Sequence, residues 1–537
     1  MHAADTGTSP SDRRRVVIGA SLGTLFEWYD FFLYGALAGV ISRQFFAGVG
    51  ETAAFIFALL AFAAGFAVRP FGALLFGRIG DRSGRKRGFL ITIIIMGAAT
   101  FLVGLLPTYQ QAGLLAPAAL VALRILQGLA VGGEYGGAAI YVAEHAPDDR
   151  RGFYTSWIQG TATFGLLLAL LLVTACRFSM STEAFEAWGW RIPFLGSIGL
   201  LGISIWIRVR LEESPTFRKM LEEGRTSKAP LTESFLRRQN LGRVMVALFG
   251  VVAGAAAIWA AGQFYLLLFL MQTLRMDEAQ ATLMVAAALL VVSPLFVLFG
   301  WLSDRIGRKP VLLFGLVLGI ATIMPIFKAI AVHANPALAV AQQRSPVSVL
   351  ADPAHCSVQF DPIGTARFSS DCDVARALLA KRGISYGVVD SAPGSTTCVG
   401  IGSERLCADG GDFAPRIEAG LRGADYPDAA ARAAVDMVPL MLLIIIVASY
   451  GAIVYAPIAA TLVELFPPQI RYSSMSLPYH IGAGWFGGFL GPIAFTISAT
   501  TGNSFAGLYY PLAVGCMSLI VIAFFLPETR GRSIDDM

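Results

Sequence analysis

Long apolar runs, separated by short polar stretches, repeat along almost the whole chain. Twelve of them lie near residues 16–41, 53–76, 88–106, 114–142, 155–176, 191–208, 243–271, 280–300, 310–332, 437–463, 475–500 and 507–526. Each is long enough to cross a bilayer as helix, because roughly 30 Å of hydrocarbon takes about 20 residues. The runs are continuous rather than alternating over ten-residue segments, which excludes a closed β-barrel. The predicted fold class is therefore all-α integral membrane, with twelve transmembrane helices. Between the ninth and tenth runs the pattern changes. Residues 333–436 are rich in Pro, Gly, Asp and Ser and contain no span, so they are expected to form a small insertion outside the bilayer.

Composition agrees with this reading. The chain is 55% hydrophobic and only 14% charged, too little charge to cover a soluble protein of this size. Lys and Arg concentrate at the amino terminus, in the loops after the second and eighth runs and in 208–242, and are sparse in the alternate short loops. The positive-inside rule then places both termini in the cytoplasm and 333–436 outside. The net charge of +5 is absorbed by topology, leaving no basic face for nucleic acid. The run after Arg13, Arg14 and Arg15 imitates a signal peptide. It is too long, contains Glu27 and Asp30 and lacks a small-residue cleavage site, and it is read as a retained first span.

The polar loops carry a repeat. Gly77-Arg78-Ile79-Gly80-Asp81-Arg82-Ser83-Gly84-Arg85-Lys86 returns 223 residues later as Gly300-Trp301-Leu302-Ser303-Asp304-Arg305-Ile306-Gly307-Arg308-Lys309. A second element, Glu144, Pro147, Arg151 and Ser156, returns 320 residues later as Glu464, Pro467, Arg471 and Ser476. The offsets differ by 97 residues, which locates the insertion in the second half. The expected organisation is an amino-terminal six-helix bundle (1–207), a cytoplasmic linker (208–242), helices seven to nine (243–332), the insertion (333–436), and helices ten to twelve with the tail (437–537). A duplicated G-x-x-x-D-R-x-G-R-K between spans resembles the hallmark of the major facilitator superfamily of secondary transporters.

Four of the six cysteines, Cys356, Cys372, Cys398 and Cys407, fall in the insertion. An even number in an oxidising compartment suggests two disulfides. Four cysteines allow three pairings; sequence proximity favours Cys356–Cys372 and Cys398–Cys407. His355 and Cys356 have no second ligand pair at metal-binding spacing, so no metal site is expected.

Ionisable groups inside the spans point to mechanism, since each central charge costs on the order of 2.5–3.5 kcal/mol to insert. Glu27, Asp30 and Tyr34 share one face of the first span. The fourth span carries Arg124, Gln127, Glu134 and Tyr135, and the second carries Arg69 before Pro70. Two arginines facing three carboxylates read as one coupled set. Glu27, Asp30 and Glu134 are the candidates for proton coupling, because burial raises and an arginine lowers a carboxyl pKa. Tyr34, Arg69, Arg124 and Gln127 are candidate substrate ligands, joined by Gln263 and Tyr265 of span seven and Tyr479 and His480 of span eleven.

Further motifs narrow the resemblance. Phe26-Glu27-Trp28-Tyr29-Asp30-Phe31, Arg69-Pro70-Phe71-Gly72, Gln127-Gly128, Gly132-Gly133-Glu134-Tyr135-Gly136-Gly137, Trp190-Arg191-Ile192-Pro193-Phe194, Glu213-Ser214-Pro215-Thr216-Phe217 and Leu526-Pro527-Glu528-Thr529 resemble the metabolite:proton symporter family, in a bacterial subgroup with a long external loop. That resemblance implies two six-helix bundles rocking about a central site, and permeases for α-ketoglutarate, citrate, shikimate or proline/betaine. It also implies that Gly77, Asp81, Gly84 and Arg85, with Gly300, Asp304, Gly307 and Arg308, form conformational latches. Two segments depart from the family pattern by being poorer in polar groups: Ala260-Ala261-Gly262-Gln263 and Gly482-Ala483-Gly484.

The function expected is proton-coupled import of a small organic acid, a mono- or dicarboxylate, by alternating access. Osmolyte or betaine uptake and a transporter-like metabolite sensor are the alternatives. No nucleotide loop or nucleophile–base set stands out, so neither an enzyme nor a cofactor is expected. The expected partners are the small-molecule substrate, protons and the lipid bilayer, with no nucleic acid, in a monomer of the bacterial inner membrane.

Overall fold

The computed structural model describes residues 10–47, 58, 61, 64–357, 369–409, 412–431 and 434–534, with side chains from residue 14. Its long helices are α1 (Pro10–Phe45), α2 (Arg69–Ser83), α3 (Arg85–Leu105), α4 (Leu115–His145), α5 (Arg151–Ser179), α6 (Arg191–Val209), α7 (Arg238–Thr273), α8 (Glu278–Ile306), α9 (Arg308–Ala334), α10 (Met437–Leu465), α11 (Pro468–Thr501) and α12 (Ala506–Phe525). Among the described residues eleven are long and apolar enough to cross a membrane. The exception is α2. Most of 53–63, the first part of its predicted span, lies outside the described residues.

Local chemistry sets the helix ends. The Asp277 carboxylate accepts the Gln280 amide at 2.9 Å and caps α8. Gly84 and Gly307, at φ +111° and +108°, turn the chain from α2 into α3 and from α8 into α9. Only glycine adopts that backbone without strain. The linker folds into two short helices, Pro215–Glu222 and Pro230–Phe235, each opened by a proline.

Helices α2 and α4 touch backbone to backbone. A Cβ on Gly128 would sit 2.0 Å from the Gly65 carbonyl, and one on Gly72 would sit 2.0 Å from that of Leu129. Small residues supply such contacts where lipid removes the hydrophobic drive between helices. One apolar core, around Tyr29, Leu33, Leu37 and Trp190, lies in the first half; a larger one, around Ile258, Phe269, Phe327 and Ile444, fills the second half and continues into the first through Tyr135, Tyr141 and Ile158.

The insertion is a small α/β unit. Strands β1 (Val347–Ala351), β2 (Tyr386–Asp390), β3 (Cys398–Ile401) and β4 (Glu404–Cys407) form a sheet in the order β2-β1-β3-β4. The β1–β2 pair is parallel and the other two are antiparallel. Helices Asp371–Lys381 and Phe413–Gly423 enclose a core that includes Val349, Leu379 and Ile417. Cys356 pairs with Cys372 and Cys398 with Cys407, the second pair joining directly opposed residues of the β3–β4 hairpin. The unit rests on the second half, at the end of α9 remote from Gly307. The Tyr386 amide donates to the Gly502 carbonyl at 2.7 Å, the Ser385 hydroxyl to that of Ser504 at 3.0 Å, and the Ala430 amide to the Arg275 carbonyl at 3.0 Å.

Candidate functional site

The intramembrane charges of the first half separate into pairs. Asp30 takes Arg124 Nη1 on one oxygen at 2.9 Å and Gln127 Nε2 on the other at 3.0 Å. Gln127 Nε2 also donates to the Thr100 hydroxyl at 2.8 Å. The helix period makes this possible, because Arg124 and Gln127 are one turn apart on α4 and face α1. The Arg124 guanidinium lies 3.9 Å over the Tyr34 ring, whose hydroxyl donates to the Ala58 carbonyl at 2.8 Å. All of this is buried, yet Arg124 Nε, Arg124 Nη2 and Gln127 Oε1 have no hydrogen-bond partner among the described residues.

Glu27 faces Arg69 at 3.7 Å, and Arg69 stacks 4.0 Å over Phe66. Glu134 differs from the sequence expectation. It sits ten residues along α4 from Arg124, about 15 Å along the axis, and binds Arg208 Nη2 at 2.5 Å and the Thr92 hydroxyl at 2.7 Å. The set is thus three carboxylates with three arginines rather than three with two. Arg208 was missed because it stands at the boundary assigned to the linker; it belongs to the last turn of α6. An unpartnered carboxylate in mid-helix was the available signal.

The second half contributes aromatic and polar groups. Tyr479 of α11 stacks on Tyr135 of α4 with ring centroids 3.5 Å apart and lies within electrostatic reach of Glu27 and Arg69. His480 is buried beside it, with ring centroids 5.2 Å apart. Trp28, Phe31 and Phe32 of α1 meet Phe264 of α7 at 5.9–6.5 Å, and Trp28 meets Trp259 at 5.6 Å. Gln263 lines a cavity of about 20 Å³ behind Trp28, room for about one water. The halves are closed on each other here. Tyr265 lies apart from the charges, packed on Phe269, Phe327 and Phe495 within the second half. Among the described residues no group of His, Cys, Asp or Glu could hold a metal ion.

The repeated hinges cross between the halves. The Asp81 carboxylate accepts the amides of Tyr472 at 3.1 Å and Ser473 at 2.8 Å, in the first turn of the α11 segment opened by Arg471. Arg85 Nη1 holds the same carboxylate at 2.6 Å. In the second copy, Asp304 accepts the amides of Gly152 at 2.8 Å and Phe153 at 2.7 Å at the start of α5, and Arg308 Nη1 at 2.6 Å. A helix start presents free amides and the positive end of its dipole, so both aspartates sit where an anion is stabilised. Gly77 and Gly300 permit the approach: a Cβ on Gly77 would lie 2.8 Å from Ser473 Cα, and one on Gly300 would lie 2.4 Å from the Ser156 hydroxyl.

The second repeat, found without a role, belongs to the same arrangement. Glu144 binds Arg471 at 2.7 Å and Arg85 at 3.6 Å, while Glu464 binds Arg151 at 2.9 Å and Arg308 at 3.0 Å. Ser214 and Thr529 complete them, donating to Glu144 at 2.5 Å and Glu464 at 2.7 Å. Glu213 and Glu528 cap α3 and α9 by accepting the amides of Lys86 and Arg308 at 3.1 Å and 2.9 Å. Recurrence at a fixed offset was the signal for Glu144, Arg151, Glu464 and Arg471; which half each would grip was not legible.

Comparison with known proteins places this geometry. Residues 20–350 match the profile of the Major Facilitator Superfamily, and 424–537 match that of the Sugar (and other) transporter family. The chain is 38% identical to the shikimate transporter of Escherichia coli (strain K12), over 61% of this chain and 75% of that one. It is 36% identical to the alpha-ketoglutarate permease of the same strain, over 62% and 76%. With the glycine betaine/proline/ectoine/pipecolic acid transporter OusA of Dickeya dadantii (strain 3937) the identity is 35%, over 59% of this chain and 64% of that one, less than two thirds of that relative's length. Among solved structures, the proton:xylose symporter XylE bound to 6-bromo-6-deoxy-D-glucose superposes with a TM-score of 0.57 at 18% identity, over 98% of this chain and 99% of that one. At that identity the likeness concerns the fold.

Proposed function

The chain belongs to the major facilitator superfamily, and from that premise we propose that it is a proton-coupled symporter importing a small mono- or dicarboxylate. Membership makes it a multi-pass membrane transporter rather than an enzyme. The observation that carries the substrate class is the Arg124 guanidinium. One nitrogen is spent on Asp30, while Nε and Nη2, which lie along the same edge, are buried and have no hydrogen-bond partner among the described residues. Such an edge matches the two oxygens of a carboxylate. Buried donors left without partners cost about 1–3 kcal/mol each, so a ligand that satisfies them is favoured.

The coupling follows from the same contacts. Protonation of Asp30 weakens its hold on Arg124 and frees the guanidinium for the substrate anion; loss of the proton draws Arg124 back. Glu27 with Arg69 is a second carboxylate–arginine pair on the path, bordered by Tyr479. Glu134, bound by Arg208 and Thr92, takes the part of a structural tie between α3, α4 and α6. The crossed contacts of Asp81 and Asp304 act as two latches that hold the halves together at one end and part when that end opens. In this reading that end is cytoplasmic, 333–436 faces outward, and the carrier works as a monomer in a bacterial inner membrane.

A zwitterionic osmolyte is the second reading. The ring cluster of Trp28, Phe31, Phe32 and Phe264 favours it, because aromatic faces receive quaternary ammonium groups, and relatives are named as betaine transporters. Uptake by the purified protein in liposomes under an inward proton gradient separates the two. Labelled α-ketoglutarate, citrate or shikimate should accumulate, and an uncoupler should abolish the accumulation. Accumulation of betaine alone would transfer the assignment to the second reading. No uptake of any of the four by folded protein would sink both.

A further inference from the structure

Where the insertion meets the turn between α7 and α8 there is a cleft of about 270 Å³, lined by Arg275, Leu378, Lys381, Arg382, Glu418 and Asp428. Three of the six are cations, drawn from two parts of the chain: Arg275 from the turn, Lys381 and Arg382 from the end of helix Asp371–Lys381. The two acids are already engaged. Arg382 binds Glu418 at 3.4 Å and Asp428 more closely still. Burial works against the Arg382 charge, but the bonds to Asp428 and Glu418 outweigh it and hold the guanidinium above its ordinary pKa. Arg275 and Lys381 have no acidic partner among the described residues. Arg275 Nη1 donates instead to the Lys381 backbone carbonyl at 3.4 Å, which fixes the guanidinium at the cleft without neutralising it.

The backbone reinforces this placement. Arg275 has φ +56°, a left-handed conformation that long side chains rarely adopt; the other non-glycine cases among the described residues are Asp412 and Asp425. Its carbonyl is pinned by the Ala430 amide of the insertion at 3.0 Å. The insertion therefore does more than cover the bundle. Its seat holds an arginine in a strained conformation beside a lysine with no acidic partner among the described residues, around a space of metabolite size.

We propose that this cleft binds a small organic carboxylate, with Arg275 and Lys381 as its ligands, as a capture site distinct from the Arg124 centre. A guanidinium beside an ammonium matches two carboxylate groups of a di- or tricarboxylate, and Arg382, Glu418 and Asp428 complete the lining. Because the cleft is open, binding is steered by charge and weakens with salt. That the anion is a carboxylate rests on the transport reading above; that the site takes an anion rests on the cleft's own charges.

The test is isothermal titration of the full-length protein in detergent with citrate and α-ketoglutarate, in an Arg124→Gln background that blinds the central site. Binding should persist there, and adding Arg275→Asn with Lys381→Gln should weaken it at least tenfold. Asparagine tolerates the left-handed backbone, so the seat is kept. Lys381→Gln alone, at an exposed helix end, should weaken binding about threefold. An unchanged isotherm in the double variant, or no binding in the Arg124→Gln background, overturns the site, and inorganic phosphate binding as tightly as citrate overturns the carboxylate assignment. Uptake by the unsubstituted protein, measured alongside, separates the two readings. Binding in the cleft without any transport of organic acids defeats the transport reading and leaves the cleft standing. Transport without binding in the cleft does the reverse.

Discussion

Neutralising Asp81 tests the latch most directly. In the closed arrangement its carboxylate takes two amides, at 3.1 and 2.8 Å, and the Arg85 guanidinium at 2.6 Å, all out of water. Asp81→Asn keeps the shape and one acceptor oxygen but removes the charge that makes these bonds strong. Hydrogen bonds to charged groups contribute about 1.5–3 kcal/mol each. With one bond to an amide retained, and Arg85 still held by Glu144 and the Pro468 carbonyl, the net loss should be about 3 kcal/mol. The Tyr472 and Ser473 contacts exist only when the halves meet at this end, so the loss falls on the closed state. At 1.4 kcal/mol per decade, that shifts its equilibrium about 150-fold toward opening. Ser476, buried where Gly136 approaches its hydroxyl, reports the opening. Ser476→Cys, in a background with Cys176 and Cys516 replaced by serine, should react with maleimide about a hundredfold faster once Asp81→Asn is added. A rate within twofold of the parent, from folded protein, would refute the reasoning.

Other outcomes follow from the same contacts. Arg208→Ala leaves Glu134 buried with no cation and should cost about 3–5 kcal/mol, seen as a large fall in melting temperature in detergent. The double change Glu134→Gln with Arg208→Gln should recover most of it. Asp30→Asn should abolish proton-driven accumulation while leaving insertion and downhill exchange intact; unchanged accumulation removes Asp30 from coupling. Gly80→Ala places a Cβ 2.0 Å from the Tyr472 ring and should raise labelling at Ser476→Cys as Asp81→Asn does. Breaking the Cys398–Cys407 link, nine residues apart, should destabilise the insertion by roughly 2.6 kcal/mol on loop entropy. Faster limited proteolysis within 333–436 checks this, and an unchanged digestion rate would count against the link.

Much of the architecture could be read directly. Apolar runs of about 20 residues admit one solution in a bilayer, because every backbone amide must be satisfied within its own segment. The positions of eleven membrane helices and the interruption between α9 and α10 follow from local pattern, whereas proximity favoured the nearest-neighbour cysteine pairs without excluding the other two pairings. The duplicated hinge was equally plain. Its glycines at 84 and 307 mark turns that only glycine adopts freely, and such constraints act within a few residues.

Partnership was not local. Nothing along the chain says that Glu134 belongs to Arg208, 74 residues away, rather than to Arg124 on its own helix. Helix α4 is long enough to place its two polar ends in different layers of the bundle, so a count of charges merges what the packing keeps apart. Nor does the sequence show that each hinge grips the opposite half. Asp81 reaches α11 and Asp304 reaches α5 only because the two halves pack against each other. The cleft at Arg275 belongs to the same class. Its ligands are 106 residues apart and become neighbours only when the insertion is seated on the bundle. Patterns along one segment determine that segment's structure, whereas the pairing of buried charges depends on which faces the assembled helices turn toward each other.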